Sequence, residues 1–300
     1  MIVAAVALAV GLLGPWPVAR LSRRGGSPRL AVAAQMSCLL LAWSGLLVLV
    51  ADVAAPHEGV VRACATVFAA LASGEWEPVP VMGAVAYLAV VGRTGWCLAR
   101  VTARSRRTVE AVKSVARFDG TAWRISGSRS VGFTAGLVRP VVVVSDDLTD
   151  RVDERTREVV VAHELAHARG RHTAVDLLAR ALAAGVAPWP GARLAMLEVR
   201  RNLEAAADDY AARQYGAATV AHAIGQVALT PSAPLAAGTL GATDWPVWRV
   251  RRLLRPHRVS HWHRMPASAA AASSFVVGAQ GAVHALMGSH LLPVVKMCPL

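Results

Sequence analysis

Long apolar runs constrain this chain more than any other feature of its sequence. Four of them, at residues 2–18, 30–50, 80–98 and 267–295, approach the ~20 apolar residues that a helix needs to cross a bilayer. The fourth is the weakest, because it is rich in Ala and Ser and contains histidines. A buried helix of a soluble core could explain one run, but four in a chain of mean hydropathy +0.43 argue against it. We therefore expect a mainly α-helical integral membrane protein with four transmembrane helices.

Basic residues are distributed unevenly between these runs. The first connection contains four arginines, the second contains one arginine against four acidic residues, and basic residues are dense again after the third run. Under the positive-inside rule, the first connection and the chain after the third run lie in the cytoplasm. The sequence thus predicts three transmembrane helices within residues 1–100, a cytoplasmic domain at 101–265 and a fourth helix at 267–295. The expected location is a bacterial-type plasma membrane, crossed several times.

We attribute the net charge of +13 to the basic residues that flank the predicted transmembrane helices. Such an excess could face nucleic acid or anionic lipid. Many of the arginines flank apolar runs, and no helix-turn-helix, zinc finger or aromatic-interleaved basic motif is evident. We therefore expect the lipid bilayer as a partner and no direct binding of nucleic acid.

The predicted cytoplasmic domain mixes strands with helices. The β-branched run Val141–Val144, preceded by turn residues, predicts a β-hairpin over 132–145. The acids that follow the hairpin offer N-caps for a helix over 154–167, and a further helix is expected near 194–215. We therefore expect an α+β domain.

An HExxH segment supplies the chemistry of this domain. His163 and His167 are four residues apart, so on a helix their imidazoles share a face and can bind one zinc ion. Glu164 is beside the first ligand and can take a proton from water that zinc makes acidic. The neighbouring apolar residues predict a buried helix, where two histidines and a glutamate would be costly without a metal. The segment predicts a site for one Zn²⁺ with Glu164 as general base.

Zinc needs a third protein ligand and an open fourth position, and three residues are candidates. His172 follows His167 by five residues, one short of the spacing that HExxHxxGxxH proteases use. Asp176 lies within reach of the same helix. Glu204 shares a helix face with Asp208, which could accept a hydrogen bond from the far nitrogen of a ligand histidine. Three alanines between these two acids favour close helix packing, and with it Glu204 as the ligand.

The two zinc motifs together resemble a known pattern. His-Glu-Leu-Ala-His at 163–167 followed by Glu-Ala-Ala-Ala-Asp at 204–208 is similar to the HExxH…ExxAD pattern of gluzincin membrane peptidases. Residues 132–143 resemble their substrate-edge strand. Three spans, an HExxH domain and a fourth span resemble the BlaR/MecR family of regulatory metallopeptidases, and the HtpX-like family is a close alternative. Five residues follow the last run, so the resemblance is to members without a C-terminal sensor domain.

The resemblance implies a gluzincin-like zinc peptidase that cleaves a protein near the cytoplasmic membrane face. The substrate strand is expected to add to a sheet edge near Val141–Val144. The implied role is regulatory signalling, with a transcriptional repressor as a candidate substrate. The alternatives are an HtpX-like housekeeping membrane protease and a non-catalytic receptor that uses the zinc domain as a scaffold.

Two basic clusters near the end of the domain have competing interpretations. The resemblance suggests that Arg249, in the basic amphipathic stretch 248–254, helps to hold substrate or the oxyanion. A membrane-surface helix is the simpler interpretation of that stretch. His257, His261 and His263 are interpreted as interfacial residues, with a second metal site as the alternative.

Overall fold

The computed structural model describes residues 2–23, 25–54, 72–73, 78–127, 132–230, 240–241 and 245–255. The predicted fourth transmembrane helix at 267–295 and the cluster of His257, His261 and His263 lie outside these residues. The described part is mainly helical and contains one small sheet.

Long apolar helices occupy the N-terminal third. The first is formed by α1 (Ile2–Leu13) and α2 (Pro15–Arg23), the second is α3 (Pro28–Ala54) and the third is α4 (Pro78–Val115). Within the described residues, three segments are long and apolar enough to cross a membrane: Ile2–Arg23, Pro28–Val53 and Val81–Val115. These segments overlap the first three predicted spans.

The helix α4 continues well beyond the predicted end of the third span. Residues 99–115 contain neither Gly nor Pro and include many Ala and Arg residues, which favour a helix. The arginines therefore end the apolar segment without ending the helix, which runs to Val115. The predicted domain start at residue 101 thus lies inside one continuous helix.

Five short strands of the described chain form one sheet, in the order β1-β2-β4-β3-β5. They are β1 (Arg117–Phe118), β2 (Trp123–Ile125), β3 (Gly132–Ala135), β4 (Val141–Ser145) and β5 (Leu240–Gly241). β3 and β4 form the predicted antiparallel hairpin, with Phe133 opposite Val143.

The prediction that Val141–Val144 is an edge for substrate is wrong. β4 pairs with β3 on one side and, in parallel, with β2 on the other, so it is an interior strand. Val142, Val143 and Val144 are at most 5% exposed. The run of β-branched residues reflects burial of a central strand, which reads as continuously apolar.

Six further helices follow in the described part of the chain. They are α5 (Asp146–Arg151), α6 (Glu154–Arg169), α7 (His172–Gly185), α8 (Pro190–Tyr215), α9 (Ala217–Leu229) and α10 (Pro246–Leu254). α6 and α8 contain the two predicted helices, and α10 contains the basic stretch. The Asp153 side chain caps α6 by accepting a hydrogen bond from the Thr156 backbone N–H at 2.7 Å. α6 packs against β3 and β4, and α8 packs against α6.

Small residues bring α1 and α3 into backbone contact. A Cβ added at Gly11 would lie 2.2 Å from the backbone nitrogen of Ala42. One added at Gly45 would lie 2.7 Å from the backbone nitrogen of Leu8. The two glycines thus permit the close approach that small residues give to helix pairs in membranes.

One core cluster joins the apolar helices to the predicted cytoplasmic domain. It contains buried residues of α3, α7 and α8: Leu39, Ala42, Ala179, Leu182, Ala183, Ala195, Val199 and Leu203. Arg23 at the end of α2 adds an ion pair with Glu198 of α8, at 2.5 Å. α8 is therefore held directly against the apolar helices.

Candidate metal centre

The helix α6 places two histidines on one buried face. The Nε2 atoms of His163 and His167 are 3.1 Å apart, as their four-residue spacing requires. The two side chains are 4% and 0% exposed. Val159 and Ala162 pack beside them in a core cluster. The ring nitrogens therefore face a site closed off from solvent.

The helix α8 brings a carboxylate to the same point. One oxygen of Glu204, Oε2, is 3.3 Å from Nε2 of His163, and the other, Oε1, is 3.4 Å from Nε2 of His167. One ligand atom from each of the three side chains lies within 4.8 Å of the other two. Ala205 and Ala207 are fully buried, so small side chains let α8 approach α6 this closely. The sequence-predicted group His163, His167 and Glu204 could therefore hold a metal ion.

The charge of Glu204 and its lack of hydrogen bonds fit a cation bound at this position. Both of its oxygens are buried and lack a hydrogen bond of acceptable geometry, which is costly for a carboxylate. Burial acts to raise the pKa of Glu204, but His167, His163 and Arg249 outweigh burial and lower it well below the usual value. A charged carboxylate without a hydrogen bond, next to two imidazole nitrogens, matches the donor set of a three-ligand zinc site with an open position.

Glu164 lies on the neighbouring side of α6 and is fully buried. Its Oε2 accepts a hydrogen bond from the Thr134 hydroxyl of β3 at 2.8 Å, whereas its Oε1 has no partner. Burial raises the pKa of Glu164, against the nearby histidines and the Thr134 hydrogen bond. One oxygen is thus fixed and the other is free to take a proton.

Residues 99–189 match the model of Peptidase family M48. The matched stretch includes β3 and the whole of α6, and it ends one residue before α8 begins. It supports a metallopeptidase, a class of peptide hydrolase that is typically zinc-dependent in this family. No curated protein and no solved structure gave a match.

Two residues beyond the M48 match lie beside His163 of this metallopeptidase-like site. Asp208 Oδ1 lies 3.1 Å from Nδ1 of His163, which is the orienting contact expected from sequence. Arg249 of α10 is 1% exposed and makes two hydrogen bonds to Asp208, at 2.9 and 2.5 Å. Its Nη1 lies 3.4 Å from Oε2 of Glu204. The structure thus brings Arg249 to the site, paired with Asp208.

The charges of these groups leave room for a divalent ion. Glu164, Glu204 and Asp208 are three buried carboxyl groups, and Arg249 is the guanidinium that faces them. When all three carboxylates are charged, two net negative charges remain, which one divalent cation would balance. Burial acts to raise the pKa of Asp208, but Arg249 and His163 outweigh it and hold that pKa at about 2.

The pKa of His163 also departs from its usual value. Burial and the charge of Arg249 act to lower the pKa of His163. Its contacts with the carboxylates of Asp208 and Glu204 outweigh both effects and raise the pKa to about 9. Without a metal, this imidazole therefore holds a proton that a metal ion must displace.

The other two candidate ligands lie elsewhere. Nδ1 of His172 is 2.8 Å from Nδ1 of His167, on the side of that ring away from Glu204. Burial and the neighbouring His167 lower the pKa of His172 to about 3, so His172 is neutral and can accept the Nδ1 proton of His167. Asp176 pairs with Arg180 at 2.7 Å and with Arg200 at 3.3 Å. Neither residue joins the group of three.

Thr134 is the site residue that sequence reasoning did not find. It is fully buried, and its hydroxyl lies 2.9 Å from the backbone oxygen of Glu164 as well as 2.8 Å from the carboxylate. The two residues are 30 positions apart, and the sequence predicts a hairpin around Thr134 without indicating a contact with Glu164. The one sequence signal is the position of this hairpin a few residues before the HExxH helix.

Proposed function

We propose that this protein is a membrane-embedded zinc metalloendopeptidase that cleaves a protein substrate near the cytoplasmic membrane face. One observation carries the proposal: two imidazoles and Glu204 converge beside Glu164, which keeps one buried oxygen without a partner. A purely structural cluster would leave a buried carboxylate oxygen unpaired at a cost of about 1–3 kcal/mol with no gain. The M48 match over the same helix supports the reaction class.

Each residue has a role that follows from its position. His163, His167 and Glu204 would hold one zinc ion, which supplies a Lewis acid and makes bound water acidic at neutral pH. Glu164 takes a proton from the attacking water at Oε1, the oxygen that has no hydrogen-bond partner. It then gives this proton to the leaving amine. Thr134 fixes the other oxygen of Glu164 in the meantime.

The residues around these groups orient them. Asp208 holds the ring of His163 through Nδ1, and this leaves Nε2 for the metal. His172 does the same for the ring of His167 from the opposite side. Arg249 completes the cluster, and we propose that its guanidinium helps to hold substrate or the oxyanion.

The proposed topology has four transmembrane helices and a cytoplasmic zinc domain. Three apolar helices of sufficient length support it, together with the arginines that follow the first and third of them. Protease treatment of sealed vesicles of known orientation tests it. Residues 117–230 should be cut only when their cytoplasmic face is accessible, and cleavage from the outer face would overturn the topology.

The proposed role is regulatory, as in the BlaR/MecR-type metallopeptidases, with a protein substrate such as a transcriptional repressor. A housekeeping membrane protease of HtpX-like kind is the second candidate, because the matched family is described as a peptidase and not as a regulator. Quantitative proteomics of cells with and without the active protein separates the two. One or a few stabilised soluble regulators support the first, and many damaged membrane proteins support the second.

The reaction is tested by Glu164→Gln in the full chain, purified in detergent and returned to liposomes. Loss of a positioned general base lowers rates by roughly 100-fold to 10,000-fold, so cleavage of labelled casein should fall by that order. Zinc content by mass spectrometry should stay near one ion per chain. Glu158→Gln, on the exposed side of the same helix, is the control and should cleave normally. Full activity of zinc-loaded Glu164→Gln would exclude this mechanism.

The ligand set has a separate test. Glu204→Ala should sharply lower zinc content, whereas His172→Ala removes only a contact to the back of a ligand and should lower it less. If His172→Ala loses the ion and Glu204→Ala keeps it, the third ligand is wrongly assigned.

A further inference from the structure

A wide basic cavity lies beside the metal centre, between the α2–α3 connection, α8 and α10. Its volume is about 1050 Å³, and no residue of the His163, His167 and Glu204 group lines it. Among the described residues that line it, one is acidic, Asp209. Six arginines line it: Arg23, Arg29, Arg213, Arg251, Arg252 and Arg255.

The positive charge in this basic cavity is only partly neutralised. Arg252 binds both oxygens of Asp209, at 2.7 and 2.8 Å, and Arg23 pairs with Glu198. Arg29, Arg213 and Arg251 are exposed, and none of them has a carboxylate partner among the described residues. Several guanidinium groups of the cavity therefore carry positive charge that no carboxylate of the described residues neutralises.

The walls of the basic cavity place it at a membrane surface. One wall is formed by the end of α2, the start of α3 and the residues between them, and both helices belong to segments long enough to cross a membrane, so this wall lies where the apolar segments end. Trp245 and Trp248 line the same cavity, and tryptophan is enriched at membrane interfaces. Arg201 stacks on the ring of Trp248 at 3.9 Å, which fixes that side chain.

We infer that the basic cavity binds the phosphate headgroup of an anionic phospholipid. The inference rests on the proposed membrane location of the helices and is independent of the peptidase chemistry. One guanidinium group can donate two parallel hydrogen bonds to the oxygens of a phosphate. Basic pockets beside the cytoplasmic ends of transmembrane helices bind anionic headgroups. Pockets of roughly 300–1,000 Å³ hold small ligands, so a headgroup fits in the volume available. A soluble phosphate shares the chemistry, but the apolar helices on one wall favour a lipid.

The site also has a direct structural link to the metal centre. Arg252 joins α10 to Asp209 of α8, and three residues earlier Arg249 joins α10 to Asp208 of the same helix. A headgroup held by Arg251 and Arg213 would bridge α10 and α8 a third time. Bound lipid is therefore expected to keep α10 seated on α8.

Native mass spectrometry of the full chain in a non-ionic detergent tests the site. Phosphatidylglycerol is compared with zwitterionic phosphatidylcholine, with inorganic phosphate and with a soluble acidic peptide. The double variant Arg213→Gln/Arg251→Gln should lose about 30-fold in phosphatidylglycerol affinity, because each basic side chain near an anionic surface contributes roughly fivefold. Arg104→Gln/Arg107→Gln, on the part of α4 beyond the third apolar run, removes the same charge and should lose less than roughly threefold.

Each outcome decides the assignment. Equal losses in the two double variants, or no preference for phosphatidylglycerol over phosphatidylcholine, would overturn a specific headgroup site. Binding of inorganic phosphate with the preference of the lipid would reassign the cavity to a soluble anion, and preferential binding of an acidic peptide would reassign it to a protein partner. Zinc content and gel-filtration profile, unchanged in both variants, show that any loss comes from the cavity and not from unfolding. If the unmodified protein binds no zinc, that result would contradict the peptidase proposal and leave the headgroup site untouched.

Discussion

The hydrogen bond from Thr134 to Glu164 gives the sharpest prediction from this structure. Thr134→Val removes the hydroxyl and keeps the shape of a fully buried side chain, so the cavity left behind is small. The lost bond, 2.8 Å long, is made to a carboxylate, and such bonds contribute about 1.5–3 kcal/mol. If the bond positions Glu164 so that its contribution is made in the transition state and not with bound substrate, kcat falls between roughly tenfold and 150-fold.

The pH profile distinguishes this effect from general damage. The Thr134 hydrogen bond acts to lower the pKa of Glu164, so its removal should raise that pKa and move the acid limb of the kcat profile to higher pH. The assay is cleavage of quenched fluorescent casein by the reconstituted protein between pH 5 and 9, with zinc content measured in each sample. Thr134→Ser keeps the hydroxyl and is the matched control.

Two results would refute the reasoning about Thr134. Activity of Thr134→Val equal to that of the unmodified protein would show that the bond does not matter for the reaction. The hydroxyl has one proton, and the backbone oxygen of Glu164 competes for it at 2.9 Å. A variant that is less stable but has an unmoved acid limb would show that this carbonyl, and not the carboxylate, receives the proton.

The remaining predictions concern helix packing and the metal. Gly45→Ala should destabilise the protein by about 1–3 kcal/mol in detergent, because the new Cβ meets the backbone of α1, whereas Gly92→Ala has nothing within 4 Å and should not. In metal-free protein the raised pKa of His163 adds stability that is complete below 6.5 and is lost as pH rises through about 9. Melting temperature after chelation should therefore fall between pH 7 and 10, and a flat profile would contradict the assigned pKa. Zinc binding below pH 9 should release a proton from the same imidazole, which calorimetry in two buffers of different ionisation enthalpy measures.

The helix-borne part of the site was predictable because helical spacing alone fixes which side chains share a face. His163 and His167 follow from that rule, as do Glu204 and Asp208 on α8. The alanines between the two acids also indicated close packing, which the structure shows. Long helices with a strong local pattern thus predicted which side chains come together: the group that could hold a metal ion and the carboxylate beside it.

The rest of the site depends on contacts that leave no local pattern. Thr134 reaches Glu164 through the packing of β3 on α6, and Arg249 reaches Asp208 across 41 positions. The strand β2 that turns β4 into an interior strand has only three residues, too few to show an alternating pattern. The sequence around 141–144 therefore predicted a strand correctly and its place in the sheet incorrectly.

The helix α8 connects the apolar helices to the candidate metal centre. Its Val199 and Leu203 lie in the same core cluster as Leu39 and Ala42 of α3, and Glu204 is the next residue along. The position of Glu204 is thus set on one side by α6 and on the other by the apolar helices. Because cores are packed to the density of crystals, a shift of α3 must move α8 or open a cavity. The arrangement of the apolar helices is therefore part of what builds the candidate metal site.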